Sequence, residues 1–313
     1  MSKIVFLSSY DSELESIWMD SINQHLNDTS ILLPHQISDN EAQEVEVAVV
    51  ANADPDQISH YPNLVWIQSL WVGIENLVSY CANHKIKLVK LVDPQLAKIM
   101  AESVLAWTLF LQRNMHRYSQ QQKELVWKQL PNVNSSDLNI SVLGTGNLGI
   151  EAINTLKQLE FNISAWSRTS KTIDDVTCYS GSDGLSSMLG NTDILINLLP
   201  LTDETFHLLN ERTLSMLPRG AKVVNFSRGA VLDSDALLVL LDSGHVEHAI
   251  LDVFEVEPLP STSIFWCHPQ VTVLPHISAP TNMNSASKIV AENLGVYLNN
   301  GNIPDTVNTS KGY

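Results

Sequence analysis

Positive charge is scarce in this chain: 18 lysines and arginines stand against 34 aspartates and glutamates over 313 residues, a formal net charge of -16 at pH 7. Such a surface repels phosphate backbones and anionic lipid, and no local basic patch offsets it. Nucleic-acid and membrane partners are therefore not expected, and a small anion has to be captured locally. Cysteine is scarce as well. Cys81, Cys178 and Cys267 are odd in number and lack metal-ligand spacing, which argues against a disulfide framework or a metal site and for free thiols in a reducing compartment. Nowhere do about 18 apolar residues run together, and the opening "MSKIVFLSSY" has no small-residue cleavage site after its single lysine. The expected location is the cytoplasm. Internal repeats and low-complexity segments are absent too.

What is present is alternation. Short β-branched runs ("KIVFLSS", "VEVAVVA", "NLVWIQSL", "IKLVKLV") alternate with stretches of helical period, the pattern of a parallel α/β sheet. A long amphipathic segment from about Gln95 to Gln129 reads as helical, and the loop "LPNVNSSDLN" then leads to a second series: "ISVLGT", "ISAWSR", "DILINLL", "AKVVNFS", "HAILDV" and "VTVLPH". A last helical pattern covers Asn282 to Asn299. The expected architecture is two doubly wound parallel-sheet domains, residues 98–280 forming a dinucleotide-binding domain inserted into a first domain of 1–97 plus 281–313.

The second series opens on "VLGTGNLGIEAINTL", with Gly144, Gly146 and Gly149 between a strand and a helix. Gly144 permits the tight turn, Gly146 lets backbone approach a pyrophosphate, and Gly149 allows close helix–strand packing. The helix start at Asn147 and Leu148 faces the anion. At the end of the next strand, about 20 residues on, this fold ordinarily places an acid on the adenosine ribose. That acid is missing. The chain reads "AWSRTSK", and Asp174 and Asp175 come too late. Ser167, Arg168, Thr169 and Lys171 suit a 2'-phosphate, so NADP(H) is expected in preference to NAD(H).

Three further segments end expected strands: "NFSRGAVLD" with Ser227 and Arg228, "LDVFEVEPLP" with Asp252 and Glu257, and "VTVLPHISAPT" with His276. Singly they read as a surface ion pair, a helix-start acid and a satisfied core histidine. Together, in this order after the glycine turn, Arg228, Glu257 and His276 are hard to dismiss as three unrelated features.

With "GTGNLG", "LLPLTDET", "LPRGAKVVNFSRGAVLD", "LDVFEVEP" and "LPHISA", the chain resembles the D-isomer-specific 2-hydroxyacid dehydrogenase family. "AWSR", "EPLP", "PHISAPT" and the terminal "KGY" resemble its glyoxylate/hydroxypyruvate reductase A branch. The resemblance implies a Rossmann cofactor domain inserted into a flavodoxin-like substrate domain, and catalysis by Arg228, Glu257 and His276. It further implies carboxylate binding by the backbone at Val72 and Gly73 in "SLWVGIENL", a carboxamide contact at Asp252, and an adenosine-side turn from Leu199 and Pro200 to Thr202. It also implies a homodimer, with the helix beginning near Lys98 as the contact. Trp71 departs from the family's small residue and is expected either to narrow the substrate pocket or to be interdomain core. The expected activity is NADPH-dependent reduction of a small 2-oxo acid to the 2-hydroxy acid. The alternatives are an NAD-linked enzyme acting on D-lactate or a phosphorylated hydroxy acid, and a nucleotide-sensing binding protein like the family's corepressor branch.

Overall fold

The computed structural model describes residues 3–26 and 29–312. Met1 and Ser2 of "MSKIVFLSSY", Asn27 and Asp28, and Tyr313 of the terminal "KGY" lie outside the described residues. The chain divides into two compact units, one of residues up to Gln95 and from Thr281 onward, the other spanning Leu96–Pro280.

The first unit is built on a five-stranded sheet of β1 (Lys3–Ser8), β2 (Ile31–Leu32), β3 (Val45–Ala51), β4 (Trp66–Ser69) and β5 (Lys87–Val89). All pairings are parallel, in the order β2-β1-β3-β4-β5, which is the flavodoxin order. Along β1, Ile4 and Phe6 enter one hydrophobic cluster while Val5 and Leu7 enter another. Side chains alternate faces in a strand, so a sheet covered on both faces needs the unbroken apolar runs seen in the sequence. The C-terminal helix Met283–Asn300 covers one face through Ala286, Val290 and Leu294. It is fixed there by Ser285 Oγ donating to Asp93 (2.6 Å) and Asn293 Nδ2 donating to Gln68 (2.8 Å).

The second unit carries β6 (Asn139–Leu143), β7 (Asn162–Ser167), β8 (Thr177–Ser180), β9 (Ile194–Asn197), β10 (Ala221–Asn225), β11 (Val246–Leu251) and β12 (Val271–Val273). They form one parallel sheet in the order β12-β11-β10-β9-β6-β7-β8. From β6 the chain winds outward to β7 and β8, then crosses back to β9 on the other side, which places the topological switch point between β6 and β9. The register aligns the strand ends: Trp166, Leu143, Asn197, Asn225, Leu251 and Val273 are successive partners across the sheet. Every loop that follows starts from one edge.

Two strands, β2 and β8, were not expected from the sequence. Both are edge strands: β2 has only two residues, and "TCYS" of β8 has little apolar signal. The expected long helix is two helices, Pro94–Gln112 and Met115–Lys123, broken at Asn114 in the left-handed conformation (φ 55°). Leu125 is also left-handed (φ 58°), so the chain leaves helix before Gln129.

A partly buried ionic cluster lies at the amino end of β11. The Glu247 carboxylate lies 2.9 Å from His116 Nε2 and 3.0 Å from Lys222 Nζ, and also accepts from Arg117 Nε. The His116 and His248 rings are 4.7 Å apart, and His248 Nε2 is 2.9 Å from Thr272 Oγ1. Burial, reinforced by His116, pushes the His248 imidazole down to about 3. Burial alone would raise the Glu247 carboxyl, but His116, Lys222 and Arg117 reverse the sign and hold it well below the usual carboxylate range.

Both shifts act in the same direction on stability. The unfolded chain takes up a proton at His248 below about pH 6.5 that the folded chain refuses until about pH 3. Acidification in that window therefore destabilises by up to about 1.4 kcal/mol per pH unit. Glu247 adds a loss below its unfolded value of 4.5. We expect Tm to fall between pH 6.5 and 5, and His248→Asn, which cannot titrate, to flatten that slope. Thermal melts across the range check this; an unchanged slope in the variant would remove His248 from the account.

Candidate active site at the carboxyl edge of the second sheet

The turn after β6 can be made only with glycine at two places. Gly144 is left-handed (φ 101°), and a Cβ on it would lie 2.8 Å from the Leu198 carbonyl oxygen; a Cβ on Gly149 would lie 1.9 Å from that of Gly144. Gly146, by contrast, faces open space and caps the helix Asn147–Lys157. The first-turn amides at Asn147, Leu148 and Gly149 have no carbonyl of their own helix to bond. Thr145 Oγ1, within the same turn, is buried without a partner among the described residues. An open backbone face, a helix start and a buried hydroxyl together fit a dinucleotide pyrophosphate.

On the adenosine side the expected cationic surface is subdivided. Ser167 Oγ turns back to donate to the Thr169 carbonyl (2.9 Å), closing the turn after β7. Lys171 Nζ reaches the carbonyl of Thr145 (2.7 Å) and so braces the glycine turn. Arg168 Nη1 donates to Glu204 (2.9 Å), an acid in the turn after β9. Asp175 points elsewhere, to Lys157 at 3.4 Å. The turn carrying Leu199, Pro200 and Thr202 is pinned by Asn197 Oδ1, which accepts from the Leu199 amide (3.2 Å), and by the buried Thr205 hydroxyl, which donates to the Pro200 carbonyl (2.7 Å) and accepts from the Thr202 amide (2.8 Å).

The loops after β10, β11 and β12 lock together. Asn197 Nδ2 donates to Asn225 (3.0 Å) and Ser227 (2.8 Å), and Asn225 Nδ2 donates to the Arg228 carbonyl (3.2 Å). This buried amide network was missed from sequence, although an Asn closing each of the apolar runs "ILIN" and "KVVN" was its signal, since buried polar groups need partners. Arg228 Nη1 donates to the Ser227 carbonyl (2.7 Å). At Gly229 a Cβ would lie 1.9 Å from the Phe254 carbonyl carbon, so the Arg228 loop touches the 254–257 loop backbone to backbone.

From there the Phe254 amide donates to Glu257 Oε1 (2.8 Å), and Glu257 Oε2 lies 2.8 Å from His276 Nδ1. Asp252, only 2% exposed, accepts from the Ile277 amide (2.7 Å) and the Ser278 amide (2.9 Å), while its carbonyl accepts from the His276 amide (3.0 Å). His276 is thereby held left-handed (φ 54°), with its side chain 54% exposed. It is not a core histidine. No helix starts at Glu257, which removes the helix-start reading of that acid.

In the first unit, Trp71, Val72 and Gly73 follow β4. Ser69 Oγ accepts from the Trp71 amide (3.0 Å) and donates to the Trp71 carbonyl (3.1 Å). The indole meets Tyr10 and Trp18 edge-on, with centroids 6.4 and 6.0 Å away, so it packs within its own unit.

Residues 105–278 match the model of the D-isomer specific 2-hydroxyacid dehydrogenase NAD binding domain. The chain is also 33% identical over 283 residues to a glyoxylate/hydroxypyruvate reductase A of Yersinia enterocolitica, covering 88% of this chain and 90% of that one. The chain belongs to the D-isomer-specific 2-hydroxyacid dehydrogenase family. This dehydrogenase is therefore an NAD(P)-dependent oxidoreductase with a Rossmann domain. Its fold matches a family member from Xanthobacter autotrophicus Py2 solved with NADPH and MES, with TM-score 0.91, 31% identity, and 100% of this chain and 99% of that one covered. It also matches the NADPH-dependent glyoxylate/hydroxypyruvate reductase of Sinorhizobium meliloti solved with NADP and sulfate, with TM-score 0.88, 27% identity and 100% of both chains covered. Among the described residues, no helix is long and apolar enough to cross a membrane, and no group of His, Cys, Asp and Glu could hold a metal ion.

The contact at Gly229 yields a test of the dehydrogenase's geometry. Gly229→Ala must separate the Arg228 and Glu257 loops, and misplacement by about 1 Å can cost on the order of 100-fold in rate. We expect kcat/KM to fall at least tenfold with the circular dichroism spectrum retained. Unchanged kinetics would show that the two loops need not touch.

Proposed function

We propose that this dehydrogenase reduces a small 2-oxo acid, of the glyoxylate or hydroxypyruvate type, to the 2-hydroxy acid with NADPH as the preferred hydride donor. The observation that carries the reading is the Glu257–His276 contact of 2.8 Å, through Nδ1, on a ring that is exposed at the carboxyl edge. When bound, the nicotinamide supplies the hydride. His276, charged during reduction, gives the Nε2 proton to the carbonyl oxygen, and takes it back in the reverse direction. Glu257, anchored by the Phe254 amide, holds Nδ1 and fixes the orientation of the ring. Arg228 forks the substrate carboxylate and polarises the carbonyl. In the first unit, the amides of Val72 and Gly73 are assigned to carboxylate binding, and Trp71 is assigned to supporting that loop.

The glycine turn, Ser227 and the Leu199–Pro200 turn are assigned to the dinucleotide, and Asp252, whose carboxylate has lone pairs beyond the two amides it accepts, to the carboxamide. Ser167, Arg168, Thr169 and Lys171 are assigned to the 2'-phosphate side. Relatives solved with NADPH and NADP support that choice. A second reading, an NAD-linked enzyme, draws its support from Glu204 beside Arg168.

We further infer a homodimer. Leu125 and Trp127, beyond the helices Pro94–Gln112 and Met115–Lys123, are 93% and 100% exposed, apolar side chains that a second copy would cover. A cytoplasmic location is inferred from the unpaired cysteines, with burial pushing the Cys81 thiol up to about 12.

Two outcomes are expected. Against a panel of 2-oxo acids, NADPH should be oxidised faster than NADH, with glyoxylate or hydroxypyruvate as the best substrate; equal kcat/KM for both cofactors would favour the NAD-linked reading. Arg228→Lys keeps the charge and loses the fork, and a charge-assisted hydrogen bond is worth about 1.5 to 3 kcal/mol. Catalytic efficiency for glyoxylate should fall at least tenfold; an unaffected Arg228→Ala enzyme would contradict the assignment.

A further inference from the structure

An acid from another loop lies beside the turn after β7. Arg168 Nη1 donates to Glu204 across 2.9 Å, and the two residues are 36 positions apart, one after β7 and the other after β9, on either side of β6 and its glycine turn. Both turns that carry the pair are tied by hydrogen bonds. Thr205, next to Glu204, is only 9% exposed, and its hydroxyl ties the turn at Pro200 and Thr202, while the Ser167 hydroxyl closes the turn that carries Arg168. The pair itself remains open to a ligand, with side chains 31% exposed at Arg168 and 65% at Glu204.

We propose that Glu204 is a specificity-determining residue that limits how strongly this dehydrogenase prefers a 2'-phosphorylated cofactor. The inference rests on the reading that Arg168 serves the 2' position. A 2'-phosphate brings its own anionic oxygens to the guanidinium and must displace the Glu204 carboxylate or share the cation with it, and the two like charges repel. A cofactor ending in a 2'-hydroxyl meets no such competitor: the carboxylate accepts that hydroxyl, the role an acid on β7 otherwise performs. Arg168 and Glu204 thus work in opposite senses on one atom of the ligand. The enzyme then accepts both cofactors, with a preference for the phosphorylated one smaller than Arg168 alone would give.

The test is direct binding, measured by calorimetry with adenosine 2',5'-bisphosphate and 5'-AMP as probes. Glu204→Gln removes the competing charge and keeps the side-chain volume. Its bisphosphate affinity should rise about three- to tenfold while that for 5'-AMP stays level or falls, and the gain should shrink as salt screens so exposed a charge. In an Arg168→Ala background the same substitution should gain less, because no cation remains to be released. Asp203→Asn, which removes the neighbouring acid, should change the ratio less than twofold.

An unchanged ratio in Glu204→Gln, or an equal gain from Asp203→Asn, would overturn the proposal. If Arg168→Ala costs the wild-type protein tenfold or more in bisphosphate affinity and Glu204→Gln does nothing, only the role of Glu204 falls. If Arg168→Ala itself leaves bisphosphate affinity unchanged, the reading of Arg168 fails and that of Glu204 with it.

Discussion

The carboxylate of Asp252 is the constraint on which the reacting edge depends. It is buried at the end of β11 and takes the amides of Ile277 and Ser278 on its two oxygens, while its carbonyl takes the amide of His276. A buried carboxylate left without such donors would cost several kcal/mol, so the segment after β12 is drawn across to β11 and has little freedom once there. The left-handed backbone at His276 is the conformation that lets three successive amides converge on one residue. Strain of roughly 1 to 2 kcal/mol at such a position persists only where its surroundings enforce it.

From that anchor the groups assigned to catalysis are linked through contacts with the backbone. Glu257 is tied to the Phe254 amide, Phe254 lies against Gly229, and Arg228 precedes Gly229 with its carbonyl held by Asn225. Asn225 in turn shares a buried network with Asn197, whose side chain also fixes the Leu199 amide on the cofactor side. Proton transfer, carboxylate binding and cofactor binding are thus assigned to loops fixed by hydrogen bonds and by the close approach of Gly229 to Phe254 at the sheet edge. Preorganisation of this kind lets positioned groups act without first being ordered by the substrate.

The sequence displayed those parts of the design that are local. Gly144, Gly146 and Gly149 are legible because a tight turn, an open backbone face and a close helix–strand approach each need glycine within a few residues. Arg228, Glu257 and His276 are legible because each ends an apolar run. Contacts between distant residues are not written in any single stretch. "AWSRTSK" shows no acid, yet Glu204, 36 residues on, reaches Arg168. The same holds for Lys171, which turns to Thr145, and for the Asn197–Asn225 bond between neighbouring strands. Trp71 illustrates a different gap: an indole beside a binding loop reads equally as pocket wall or core, and only the edge-on contacts with Tyr10 and Trp18 show which neighbours it has. The edge strands β2 and β8 were silent because an edge needs little apolar patterning.

We propose that His276 moves the proton and that Glu257 acts only through it. A double-mutant cycle on the hydride-transfer step, followed as the loss of NADPH fluorescence in single turnovers with glyoxylate, tests this most directly. His276→Gln should slow the step on the order of 100-fold or more, Glu257→Gln less, and the double variant no more than His276→Gln alone. Fully additive losses, or a hydride-transfer rate untouched by His276→Gln, would contradict the account.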